Sequence, residues 1–204
     1  MNIPVVIAKT GVKHVHHAAL QFDIGIYFEA NGHGTVLFSD AFHRAVEPAS
    51  LDSSSSNSND TTKSLLSSLA RLINPAVGDA ISDLLLVHAI LQDWLFWSLN
   101  DWNTQLYHDL PSRQFKLAVA DRSVVRCNEN ETRCLSPVEL QPLLDQAMGS
   151  VTQGRCFVRA SGTENVVRIY AEAATRQEAD RLASMTYRLV HEHCGGTGPV
   201  SAKM

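Results

Sequence analysis

Between Arg159 and Arg168 the chain reads Arg-Ala-Ser-Gly-Thr-Glu-Asn-Val-Val-Arg. Two guanidinium groups, two hydroxyls and a glycine fall within ten positions. Guanidinium forks match phosphate oxygens two at a time and carry charge at every physiological pH. Ser161 and Thr163 add neutral donors, and Gly162 lets main-chain N–H groups come close to an anion. This is the composition of a phosphate-holding loop, and it is equally that of an exposed polar turn between two strands. A second segment, Glu29-Ala30-Asn31-Gly32-His33-Gly34, sets a carboxylate and an amide two positions apart. Such a pair can hydrogen-bond sugar hydroxyls in fixed directions. Alone, it is also an ordinary turn.

The elements that must position these loops follow from periodicity. Ile3–Ala8 is apolar and rich in β-branched residues, and predicts a strand. Thr10–His14 reads as a strand-to-helix loop and His14–Phe22 as a short helix. Ile24–Glu29 and Thr35–Ser39 predict strands joined across Asn31-Gly32, which has hairpin chemistry. Ser50–Thr62 is low in complexity and polar, and predicts a mobile surface insertion. Lys63–Ile73 carries a helical apolar stripe that Asn74-Pro75 ends. Ile81–Leu99 is apolar nearly all round and predicts a helix buried on most sides. Trp94, Trp97 and Trp102 are expected to pack in the core and at its boundary.

The pattern changes after Leu110-Pro111, which divides the chain into a region 1–109 and a region 110–204. In the second, Phe115–Val119, Arg155–Arg159 and Val166–Ala173 alternate like strands. Pro137–Met148 has helical spacing, with Ser136 as its expected N-cap. Gln177–His193 is an amphipathic helix ending before Gly195-Gly196. The expected result is a compact α+β domain whose two central strands are joined by the arginine-rich loop.

Composition narrows the function. Of 204 residues, 45% are hydrophobic and 19% charged, which suits a globular protein with a real core. A net charge of −4 argues against nucleic acid or an anionic membrane as the main partner. The N-terminal apolar stretch is too short for a signal peptide and lacks a basic flank. Asp83 and Asp93 interrupt the most hydrophobic window, so it reads as a core helix and not as a membrane span. Cys127, Cys134, Cys156 and Cys194 lack zinc-knuckle spacing and read as reduced thiols, which places the protein in the cytoplasm. His14, His16 and His17 are badly spaced for a metal, and no metal site is assigned.

Taken together, Thr10–His14, Phe22–Thr35, Gly78–Asp83 and Arg159–Glu172 resemble the phosphoacetylglucosamine mutases, a branch of the α-D-phosphohexomutase superfamily. The likeness covers nearly the whole chain apart from the serine-rich segment. It implies an α/β region corresponding to a truncated third domain, with a sugar-binding loop. A small α+β fourth domain with an antiparallel sheet and a phosphate-binding loop would follow. Glu29, Ala30 and Asn31 match the sugar loop. Arg159, Ala160, Ser161, Gly162, Thr163 and Arg168 match the phosphate loop. His33 matches a histidine near the reacting hydroxyl, which implies proton transfer; read from its residues alone it is a turn residue. Lys13 and His14 match a loop approaching the cleft.

The implied activity interconverts N-acetylglucosamine 6-phosphate and 1-phosphate for UDP-N-acetylglucosamine synthesis, through a phosphoserine and Mg²⁺. Two departures stand out. The family's proline after the first arginine is Ala160 here, which is expected to weaken phosphate binding by about 0.5–1 kcal/mol. Neither the serine loop (Thr-Ala-Ser-His-Asn-Pro) nor the metal loop (Asp-x-Asp-x-Asp-Arg) occurs in the 204 residues. The expectation is therefore a mutase fragment that is inactive alone and works with N-terminal domains it does not contain. A non-catalytic phosphosugar-binding module, or a mutase for another hexose phosphate, are the alternatives.

Overall fold

The structure is a computed structural model that describes residues 3–29, 31–47, 58–76 and 78–200. The chain divides into two compact units, Met1–Tyr107 and His108–Met204.

In the first unit, helix α1 (Val12–Ala19) leads into the antiparallel hairpin of β1 (Ile24–Phe28) and β2 (Gly34–Phe38). Helix α2 (Asp40–Val46) follows at once, capped by the Ser39 hydroxyl, which accepts from the Phe42 N–H at 3.1 Å. That hydroxyl in turn donates to Asp23 at 2.6 Å, so the cap is tied to the start of the hairpin. Helix α3 (Ser58–Leu72) begins inside the segment expected to be unstructured. The helix runs back over Asn59-Asp60-Thr61-Thr62, while residues 50–57 lie outside the described residues.

The entry to β2 is braced from a distant loop. Thr35, 1% exposed, donates its hydroxyl to the Asn74 carbonyl at 2.9 Å. A Cβ on Gly78 would overlap the Gly34 carbonyl oxygen, so glycine at 78 lets the two backbones touch there.

Three expectations fail in this unit. Residues 3–8 form no strand, and Ile3, Val5, Val6 and Ile7 are exposed. Their β-branched composition needs a partner strand, and none among the described residues pairs with them. The apolar segment 81–99 is not one buried helix either. Helix α4 (Ala80–Ile90) runs into a wider turn at Leu91–Leu95, and Phe96 stops it with a left-handed backbone at φ 53°. Ile81, Leu84, Leu85 and Phe96 are exposed and only Leu91 is buried. A helix apolar all round needs cover on several sides, and the described residues supply little. Trp94 is half exposed, contrary to its expected core place; Trp97 and Trp102 are partly buried. A short helix, α5 (Leu99–Asp101), closes the unit with a reciprocal Ser98–Asp101 cap. No single described helix is long and apolar enough to cross a membrane; one pair, Ala80–Leu95 with Leu99–Leu106, is bent by 96°.

In the second unit, β3 (Ser112–Ala118), β6 (Arg155–Ala160) and β7 (Val166–Glu172) form an antiparallel sheet in the order β3-β7-β6. A small hairpin of β4 (Arg126–Cys127) and β5 (Cys134–Ser136) lies between them in sequence. Helices α6 (Leu140–Gly149) and α7 (Arg176–His193) complete the unit. One sheet face is buried with the helices: Leu117, Val158, Val167 and Ile169 meet Leu140, Leu144, Leu182 and Val190, all 2% exposed or less. At about 25 cal/mol per Å² such side chains supply most of the driving force. Arg113 anchors β3 to α7 through Asp180 at 2.6 Å.

Here too two expectations change. Ser136 pairs with Arg126 in a strand, so it cannot cap a helix, and α6 starts at Leu140. The arginine-rich loop does join neighbouring strands, but only β7 is central. β6 is the sheet edge.

A methyl group at Gly78 has no room. Gly78→Ala is expected to cost about 1–3 kcal/mol through overpacking. Urea unfolding followed by tryptophan fluorescence checks it, because all three tryptophans lie in the first unit.

Candidate functional site

Strand alternation decides what the outer face of the second unit's sheet carries. Residues 117, 167 and 169 point to the core, so Lys116, Arg168 and Tyr170 point away from it. Register then places Lys116 opposite Arg168 and Arg168 opposite Arg159. Three cations lie in one row across three strands. Like charges directly opposite each other are destabilising. Among the described residues neither Arg159 nor Arg168 is in an ion pair.

A third arginine on this face behaves differently. Arg155 forms a two-pronged pair with Glu172, at 2.7 and 3.1 Å. The Glu172 carboxyl also accepts from the Tyr170 hydroxyl, and Arg155 lies over the Tyr170 ring at 5.3 Å. The Arg155 hydrogen bonds hold the Glu172 carboxyl below the usual carboxylate range, against the opposing effect of partial burial. Phe157 stacks on Tyr170 at 4.9 Å. The face thus has one satisfied arginine at one end and two unsatisfied ones at the other.

The loop Ser161–Asn165 grows from the unsatisfied end. The Ser161 N–H donates to the Val166 carbonyl at 2.9 Å and closes it. Ser161 is 3% exposed, and its hydroxyl accepts from the N–H groups of Thr163 and Glu164, each at a long 3.4 Å. Those two donors are weakly used and can be exchanged for a better acceptor. A Cβ on Gly162 would meet nothing within 4 Å, so open space lies beside the backbone there. Arg122 holds the far side by donating to the Glu164 carbonyl at 3.3 Å. Lys116 lies 3.6 Å from the Glu164 carboxylate.

The first unit presents the other loop. Glu29 and His33 close the hairpin, with the Glu29 N–H donating to the His33 carbonyl and the Gly32 N–H to the Glu29 carbonyl, both at 2.9 Å. Gly32 has φ +83°, which few other residues adopt. The Asn31 side-chain oxygen accepts from the His33 N–H at 2.8 Å. Among the described residues its amide nitrogen has no hydrogen-bond partner, and in this exposed side chain it is open to donate. Asn31 and His33 are exposed and Glu29 is half-buried.

Glu29, Asn31 and His33 share the hairpin turn; Ala30 lies outside the described residues. Arg159, Ser161, Gly162, Thr163 and Arg168 share the loop of the second unit. Ala160 is packed against the core, so only its main chain faces the loop. Lys13 and His14 lie inside α1 and not in a loop, because the helix starts at Val12. His16 is engaged with Tyr27, at 3.3 Å from its hydroxyl. Sequence reading missed Lys116, Arg122 and Glu164. The outward position of Lys116 was readable from strand alternation, but its place beside Arg168 needs the register.

Residues 1–96 match the family model for domain III of phosphoacetylglucosamine mutase AMG1. Residues 143–189 match the C-terminal domain of phosphoglucomutase/phosphomannomutase. The chain is 46% identical over 201 residues to phosphoacetylglucosamine mutase of Arabidopsis thaliana, covering 97% of this chain and 36% of that protein. It is 43% identical to the Homo sapiens protein of the same name, with the same coverage. Among solved structures, N-acetylphosphoglucosamine mutase of Aspergillus fumigatus, in complex with GlcNAc-6P and magnesium, superposes with a TM-score of 0.85 at 44% identity. That match covers 94% of this chain and 35% of the other. An N-acetylglucosamine-phosphate mutase in its substrate complex, described as a member of the α-D-phosphohexomutase superfamily, gives 0.77 at 43% identity, over 90% of this chain and 33% of that one.

This chain is thus similar, in both of its units, to members of that superfamily. It spans about a third of the length of the relatives it matches. Its two matched segments fall one in each compact unit, and each unit carries one of the two loops.

The Ala160 position tests the loop's pre-ordering. Ser161 and Val166 are a hydrogen-bonded pair, so Ala160 and Val167 are not, and the Ala160 N–H points off the sheet edge. Proline fits there without losing a ladder bond. Ala160→Pro is expected to tighten binding of inorganic phosphate by about 0.5–1 kcal/mol. Calorimetric titration checks this; weaker binding would show that the Ala160 N–H is needed.

Proposed function

We propose that this chain supplies the sugar-holding and phosphate-holding parts of a phosphoacetylglucosamine mutase, which interconverts N-acetylglucosamine 6-phosphate and 1-phosphate. The observation that carries the reading is the Arg159–Arg168 pair, held opposite each other beside a loop with donors to spare. A phosphate dianion placed there exchanges a repulsion for two charge-assisted contacts. Ser161 keeps the loop's shape and its O–H remains available to donate. The N–H groups of Gly162 and Thr163 border the open space.

In this account the phosphate loop grips the end of the sugar phosphate that does not react. Gripping a remote group positions the reacting end without taking part in bond making. Glu29 accepts from sugar hydroxyls, and the exposed amide of Asn31 donates to them. His33, exposed at the turn, takes or returns the proton of the reacting hydroxyl. The superfamily resemblance implies a phosphoserine and Mg²⁺ for the transfer itself, and a solved relative carries magnesium. Among the described residues no group of three or more histidine, cysteine, aspartate or glutamate side chains gathers to hold a metal. The described residues do not fit that ion. The four cysteines are free thiols, which accords with a cytoplasmic setting.

Two variants separate the roles. Arg168→Ala should weaken N-acetylglucosamine 6-phosphate and inorganic phosphate alike, by about tenfold or more, the scale of a hydrogen bond to a charged group. Glu29→Ala should weaken only the sugar phosphate. In a coupled assay the purified chain is expected to show no mutase turnover, and turnover by it would overturn the division of labour proposed.

A further inference from the structure

Cys127 and Cys134 stand directly opposite each other on β4 and β5. The next pair outward, Asn128 and Arg133, is hydrogen-bonded through the Asn128 N–H and the Arg133 carbonyl at 2.9 Å. The register shifts between Arg126 and Cys127, and on the hairpin side of that shift the cysteines are a non-hydrogen-bonded pair, the class in which side chains come closest, with Cα atoms about 4.5 Å apart in a regular ladder. The Cys134 N–H confirms this by turning away to the Gln141 side chain at 2.6 Å. A separation near 4.5 Å lies within the span a disulfide bridges.

The pair also touches the phosphate loop's own strand. The Cys127 thiol donates to the Val158 carbonyl at 3.1 Å, and Cys134 to the Ser136 carbonyl at 3.0 Å. Val158 lies on the edge strand β6, one residue before Arg159. Cys127 is half-buried and Cys134 is 3% exposed, so a reagent meets Cys127 first.

We propose that Cys127 and Cys134 form an oxidisable dithiol, closed by exchange with a small-molecule disulfide, and that closure weakens phosphate binding at the neighbouring loop. The second part rests on the phosphate-holding function proposed above. In the first exchange step a Cys127 thiolate attacks the reagent RSSR, forming a mixed disulfide and releasing one RSH. Cys134 then attacks the Cys127 sulfur, releasing the second RSH. The two thiols lose two protons and two electrons, and RSSR becomes two RSH.

In the reduced chain the contact between the two sulfurs holds the Cys134 thiol below its ordinary range and, with burial, pushes Cys127 up. Closure removes the S–H that Val158 accepts. The edge strand loses that bond one residue before an arginine of the row. The other two cysteines have no such partner in register. Cys156 and Cys194 are buried, and burial raises both thiols, Cys194 to about 12.

The test equilibrates the full chain with oxidised glutathione, then counts thiols in denaturant and maps the peptides. Two thiols should disappear, with one link joining Cys127 to Cys134 and reversed by dithiothreitol. The oxidised chain should bind N-acetylglucosamine 6-phosphate about threefold more weakly, the scale of one modest hydrogen bond. The Cys127→Ser and Cys134→Ser variants should bind identically before and after treatment. Four surviving thiols, or a link to Cys156 or Cys194, would overturn the dithiol. A Cys127–Cys134 link with unchanged affinity would overturn the coupling to the loop. A reduced chain that binds no sugar phosphate would overturn the phosphate-holding function, while the thiol count still decides the dithiol.

Discussion

Two guanidinium groups opposite each other on adjacent strands, with no carboxylate between them among the described residues, are an arrangement a fold does not make for stability alone. The same sheet face shows the contrast. Arg155 has Glu172, Tyr170 supports that carboxylate, and the cluster is closed. Arg159 and Arg168 have each other and Lys116. What holds them there is the buried side of the sheet. Val158, Val167, Ile169 and Leu117 lock the strand register against α6 and α7, and alternation then forces the cations into one row. The core contributes the stability that tolerates an unfavourable electrostatic contact, and an anion relieves it.

The loop adds a second constraint. Its main-chain donors rest on the Ser161 hydroxyl at long distances, while the Arg122 contact fixes its far side. It is closed enough to hold its shape and loose enough to exchange those donors. In the first unit, the Gly34–Gly78 contact and the Thr35 bond to Asn74 do the comparable job, by setting the base from which the Glu29–His33 turn projects. Each turn is short, and each is held by elements far from it in sequence.

Much of this was legible in the sequence. The hairpin around Asn31-Gly32 and the strands flanking the arginine-rich loop follow from period-two alternation. The family resemblance rests on loop residues and not on periodicity. What could not be read is physical. Residues 3–8 and 81–99 carry the composition of covered elements, but composition does not reveal whether cover is present, and they are exposed. Ser136 has the chemistry of a cap and yet is used by a strand, because the β4–β5 hairpin is too short to signal itself. The Cys127–Cys134 pairing and the place of Lys116 beside Arg168 depend on register, which no single segment specifies.

The most direct test of this account is the thermal unfolding of Arg168→Met beside the wild type, with and without inorganic phosphate. If the arginine pair is a repulsion awaiting an anion, the variant unfolds at the same or a higher temperature in anion-free buffer, and only the wild type gains stability from phosphate. A variant that is less stable without phosphate, yet gains as much from it as the wild type does, would contradict the claim.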